Sequence, residues 1–167
     1  MLAIGATTLV GTSAQAAVGI DLLCPIGQAT SNFNPGITNT PQTTTLTHSV
    51  NYTGCLFGGS VTGATYGFGP FSAPGLSCTN VLQQNAGTSV YHWNDGTTST
   101  IAASLTSTSV SGLLTTSVAT GTVAAGKFLG DTMVVESVYL TPGGLACLFG
   151  GLTSISSLEV TLTLLSI

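Results

Sequence analysis

SLEVTLTLLSI, residues 157–167, constrains the fold more than any other stretch. Leu158, Val160, Leu162 and Leu164 fall on one side of an extended backbone, and Glu159, Thr161 and Thr163 on the other. A period of two suits a half-buried strand and is useless to a helix. TTTLTHSVNY at 43–52 repeats it: Leu46, Val50 and Tyr52, with His48 among them, oppose Thr45, Thr47, Ser49 and Asn51. MVVESVYL at 133–140 is largely apolar on both faces, as a central strand is. Further strands fit 61–68, 88–93, 99–106 and 112–123, and no apolar stripe of helical period has useful length. The chain therefore reads as all-β, a single antiparallel β-sandwich, Ig-like or jelly-roll-like, of about seven to nine strands. SNFNPGITNTPQ, GFGPFSAPGLS and TPGGLACLFGG carry most of the proline and read as irregular connections. CLFGG occurs at 55–59 and again at 147–151, two similar strand ends rather than a domain repeat.

Threonine dominates the polar faces because its β-branch suits the pleat and its hydroxyl wets the surface without charge. Charge is scarce: one Lys, no Arg, five acids, a formal net charge of −4 and 4% charged residues. With 43% hydrophobic residues and a mean hydropathy of +0.54, the chain is a folded one rather than a disordered one. Lys127 alone cannot neutralise several phosphates or grip an anionic bilayer, so nucleic acid and a polybasic lipid contact are excluded as partners.

The first residues point outside the cytoplasm. Leu2 to Val10 form a short apolar core, and Ala14-Gln15-Ala16 supplies a small-x-small cleavage pattern. Residues 1–16 read as part of a secretory signal whose basic beginning lies upstream, and 17–167 as the exported domain. No apolar run is long enough for a membrane helix. All four cysteines, Cys24, Cys55, Cys78 and Cys147, follow the cleavage point. With no C-x-x-C and no neighbouring His, two disulfides are expected rather than zinc. The expected pairing is Cys55–Cys78, closing a local loop, and Cys24–Cys147, tying the first segment to the last strands.

Residues able to carry chemistry are few. G-x-S-x-G, Walker, H-E-x-x-H and kinase patterns are absent from the sequence. A carboxylate pair could come only from Asp21, Asp95, Asp131, Glu136 and Glu159, of which Asp131 and Glu136 could approach Asp95. His48, on an apolar face, reads as a partly buried ring with one hydrogen bond. No catalytic residue, metal or cofactor is expected.

SVYHWNDGTTST, 89–100, holds the only Trp. Asn94-Asp95-Gly96 has hairpin chemistry, since Asn and Asp tolerate αL and Gly takes positive φ freely. Tyr91 and Trp93 then share a face with Ile101, Ala103 and Leu105 across the turn, while His92 points away. Trp93, Tyr91 and Tyr66 are the candidate ligand-stacking residues, on an exposed face that could hold sugars. The competing reading, favoured here, makes Trp93 core, because aromatics bury the largest apolar area.

TGC at 53–55, LSC at 76–78, WNDGTTST at 93–100, GTVAAGKFLGD at 121–131 and LACLFGGLTS at 145–154 run through most of the exported part. In these elements the chain resembles a group of small secreted actinobacterial β-sandwich proteins of uncharacterised function. The resemblance implies a signal peptide, a compact sandwich and export, and brings no catalytic residues. The expected function is a non-enzymatic secreted or cell-envelope protein with a structural or interaction role, its partner a glycan or envelope component. Two alternatives are a carbohydrate-binding module built on exposed aromatics and an envelope-embedded β-barrel.

Overall fold

A computed structural model describes residues 18–83, 87–141, 147–148 and 151–166. Residues 1–17, which include the expected signal segment, most of TPGGLACLFGG and the Leu105 side chain lie outside the described residues. Nine strands follow in order: β1 (Gly19–Cys24), β2 (Ile26–Ile37), β3 (Gln42–Thr53), β4 (Gly63–Leu76), β5 (Gly87–Trp93), β6 (Thr98–Ser111), β7 (Leu114–Gly126), β8 (Thr132–Leu140) and β9 (Leu152–Ser166). All pairings between strands are antiparallel. From β2 onward each strand pairs with the next, and β9 pairs with both β8 and β2.

That last pairing corrects the expected sandwich. β2 to β9 close into an eight-stranded up-and-down barrel, in place of two packed sheets. Eight strands give an interior just wide enough for side chains or one small ligand. Closure also reduces the free edge that the long threonine-rich strands could offer to another chain.

β9 closes the ring by bending. Tyr139 faces Ser157 and Val138 faces Glu159, so Leu158 is the extra residue of a bulge. The alternation predicted for 157–167 breaks at that point. Val160, Leu162 and Leu164 are fully buried as expected, but Leu158 is turned outward, 56% exposed. On its other side β9 meets β2 at Thr30–Asn32 and β1 at Gly19–Cys24. The register runs on through the break: Leu23 faces Thr163, Cys24 faces Leu162, then Thr30 faces Ser156. Pro25, which lacks a backbone donor, sits at the interruption, and Ala29 N–H donates instead to Ser157 Oγ at 2.8 Å. Gly27 is needed where the strands cross, since a Cβ there would lie 2.7 Å from the Val160 carbonyl oxygen and from the Tyr52 ring.

Two proline-rich stretches read as connections are strands instead. SNFNPGI belongs to β2 and GFGPFSAPGL to β4. Pro35 falls within the register shift between Asn32 and Ile37, and Pro70 lies beside the one between Leu46 and His48. Bulges are where a strand tolerates a residue without an N–H.

The disulfides join Cys24 to Cys55 and Cys78 to Cys147, with Cα atoms 4.0 and 6.3 Å apart. The expected pairing is overturned by strand length. β4 runs from one end of the barrel to the other, roughly 40 Å of extended chain. Cys55 and Cys78 therefore lie at opposite ends, near in sequence and far in space. Cys24 and Cys55 continue the β2–β3 ladder in which Ile26 faces Thr53, and the next step is the isolated bridge between Leu23 and Leu56. Two disulfides suit an oxidising, extracytoplasmic environment.

Candidate functional site

Two buried clusters pack the interior among the described residues. At the Cys24–Cys55 end Leu22, Val61, Trp93, Ile101, Val123 and Leu164 form a buried cluster. At the Cys78–Cys147 end Phe33, Ile37, Tyr139 and Ile155 form a second. Between them lies a cavity of about 530 Å³, within the range of small-molecule sites.

Strand register builds its most distinctive wall. His48 on β3 faces Phe68 on β4; Val50 faces Tyr66, which faces Tyr91 on β5; Tyr52 faces Ala64, which faces Trp93. Neighbours on one face of paired strands are close enough for large side chains to touch. The rings consequently form a continuous series. Phe71 and Phe68 are 5.5 Å apart, Phe68 and His48 stack at 4.9 Å, and Tyr66 and Tyr91 stack at 4.9 Å. Tyr91 stacks on Trp93 at 5.9 Å, and Trp93 meets the edge of Phe128 at 5.4 Å. Phe68 and Phe71 are partly exposed at one end of the series, and Tyr91 and Trp93 are 4% and 3% exposed at the other.

The residues singled out in the sequence are thus brought together, but inside. Trp93 is core, its Nε1 donating to Ser99 Oγ at 2.9 Å, and Ser99 in turn donating to the Lys127 carbonyl oxygen. Tyr91 and Tyr66 line the cavity. His48, which also lines it, has one side-chain partner, Ser31 directly across the β2–β3 ladder, with Oγ 2.8 Å from Nδ1. Burial lowers the His48 pKa to about 4, so the ring is neutral at pH 7. Burial raises the Tyr66 and Tyr91 hydroxyls above the usual tyrosine range. No carboxylate, ammonium or guanidinium lines the cavity among the described residues.

The wall parts between β4 and β5. Among the described residues, β4 and β5 pair from Ala64 to Tyr66, opposite Trp93 to Tyr91. Beyond Tyr66, β4 is bonded to β3 and β5 to β6, and the two strands part. Phe68 and Phe71 line the cavity from the β4 side of this seam, Thr88 and Ser89 from the β5 side.

Charge is gathered at the Cys24–Cys55 end, away from the cavity. Gly96, at φ 85°, turns the β5–β6 hairpin, and Asp95 beside it accepts from Thr97 N at 3.0 Å and Ser60 Oγ at 2.7 Å. Lys127 Nζ lies 2.5 Å from Asp95 Oδ2. Lys127, then Thr97 and Ser60, hold the Asp95 carboxyl well below the usual carboxylate range. Asn94 Oδ1 accepts from Thr62 and Gly63 N–H, fastening the CLFGG loop to the hairpin. Asp131 does not approach Asp95. It meets Asp21, the residue at a register shift in β1, and burial followed by that second carboxyl raises its pKa. Asp131 is 6% exposed and its Oδ2 has no hydrogen-bond partner among the described residues. Ser166 Oγ donates to Asp21 Oδ1 at 3.0 Å. Glu136 and Glu159 stand on the outer wall.

Fold and site together define a class: a closed, disulfide-tied, eight-stranded barrel with an aromatic, uncharged interior cavity. No family model, curated protein or solved structure matches the chain.

Proposed function

We propose that this chain is an exported, non-enzymatic interaction protein whose interaction is the enclosure of a small molecule inside the barrel. One observation carries the reading: the cavity of about 530 Å³ within the barrel, lined by stacked rings beside the short β4–β5 pairing. A barrel needing only stability would fill this space, because unfilled core volume is destabilising. The direction of the side chains supports an aqueous setting over an embedded one. Thr43, Thr45, Ser49 and Asn51 of β3 are exposed on the outside while Val50 and Tyr52 turn inward, the reverse of a barrel facing lipid. A sugar platform on the outer face is less favoured, since Trp93 and Tyr91 lie within the wall. The two disulfides support export.

The test is fluorescence titration of the folded, oxidised protein with two related dyes, neutral N-phenyl-1-naphthylamine and anionic 1-anilinonaphthalene-8-sulfonate. Saturable, single-site uptake of either is expected. Uptake of neither would remove the reading.

A further inference from the structure

The wall's chemistry narrows the occupant. Resting on the binding reading above, we propose that the ligand is an uncharged, planar aromatic molecule that passes through the β4–β5 seam and stacks against Tyr66. Three observations converge. First, the rings nearest the seam are arranged as parallel pairs, Tyr66 on Tyr91 at 11° and His48 on Phe68 at 24°. A wall of ring faces and edges favours another ring, through offset stacking, over a flexible alkyl chain. Second, the cavity offers no counter-charge. Lys127, the only lysine in a chain without arginine, is held by Asp95 at the Cys24–Cys55 end, and the one imidazole is neutral at pH 7. An anionic ligand would lose its hydration without replacement, which carries a large penalty. Third, hydroxyls of Ser31, Ser89, Ser137 and Tyr66 stand among the apolar groups of the lining, so a ligand with one or two hydroxyl or carbonyl groups is accommodated.

The seam is the route because β4 runs on from Gly67 to Leu76 with no β5 partner among the described residues, on the side where its rings line the cavity. Phe68 and Phe71 are 38% and 45% exposed on its β4 side. Exposed aromatic rings leading to a buried series form a continuous apolar path from solvent to Tyr91.

The experiment compares the same two dyes, which share their aromatic skeleton and differ by a sulfonate. The neutral dye is expected to bind at least about ten-fold more tightly at pH 7, because the site leaves the sulfonate unpaired. Equal or tighter binding of the sulfonate would overturn the uncharged ligand while leaving the binding barrel standing; no binding of either would remove the barrel reading itself. Tyr66→Leu keeps an apolar side chain and removes the ring. It is expected to weaken the neutral dye about five-fold while leaving displacement by 1-decanol unchanged. Equal losses for dye and alcohol, or no loss for the dye, would contradict the stacking role. Phe71→Ala, at the seam, is expected to raise the rates of dye association and release together. Unchanged rates would place the route elsewhere.

Discussion

Tyr66 and Tyr91 face each other across β4 and β5, rings 4.9 Å apart and 11° from parallel, at the last residue pair before the strands separate. The stack therefore lies at the meeting of closed wall, seam and cavity. Its position follows from register: one residue of slip in either strand would turn that strand's ring to solvent.

Trp93 is buried and hydrogen-bonded, so its emission should be blue-shifted and resistant to aqueous quenchers. Ser99→Ala removes the acceptor for the indole N–H and the donor to the Lys127 carbonyl. A loss of about 1–3 kcal/mol in denaturant unfolding is expected, because the indole N–H is left buried and unpaired.

The disulfides make a discrete prediction. A non-reduced digest should yield peptides linking Cys24 to Cys55 and Cys78 to Cys147. Replacing Cys24 and Cys55 together by Ser should lower stability by roughly 4 kcal/mol, as expected for a loop of this size.

His48 should make the protein acid-sensitive. Its folded pKa, about 4, lies below the ordinary value of 6.5, so between these values the unfolded chain holds a proton that the folded one does not. Stability is then complete above pH 6.5 and falls as pH drops through 4, by on the order of 3 kcal/mol. Ser31, Tyr66 and Phe68 surround the ring, and none carries charge in this range. His48→Gln should flatten the slope between pH 6.5 and 4, read by thermal unfolding. Asp95, whose pKa is depressed, adds a loss only at lower pH, as its carboxyl protonates.

Asp131 has the opposite sign. Its raised pKa means that the folded state favours the protonated acid, a contribution lost as pH rises through the folded value. Asp131→Asn places a permanent donor toward Asp21 and should raise the melting temperature at pH 7, consistent with a gain of about 1 kcal/mol. A lower melting temperature at pH 7 would mean that the pair serves the fold as it stands.

Much of this architecture was legible because it is local. Alternation located β3, β5 to β9 and the first half of β4 but neither β1 nor β2, Asn94-Asp95-Gly96 gave the hairpin, and the inward spacing of Tyr91 and Trp93 their shared face. His48 on an apolar face with one hydrogen bond was equally readable from β3 alone. What was not legible depends on distant pairing. A barrel and a sandwich present the same period of two, and only β9 meeting both β8 and β2 distinguishes them. The bulge at Leu158 leaves no mark in an unbroken alternation. Proline in β2 and β4 imitates a loop until the register shifts that accommodate it are seen. The disulfides followed barrel ends rather than sequence distance. Asp21 and Asp131 meet only because β1 and β8 flank the same end of β9. The stacking candidates were the right kind of residue for a wall, yet nothing in their spacing distinguished a lumen from an exposed face.

The central claim is that the space within the barrel receives a ligand, and filling that space tests it most directly. Ala103 lines the cavity from β6, away from the rings of β4 and β5. Ala103→Phe should keep or raise the melting temperature while weakening N-phenyl-1-naphthylamine at least about ten-fold in equilibrium titration. Undiminished dye binding by a folded Ala103→Phe protein would put the site outside the barrel and contradict the account.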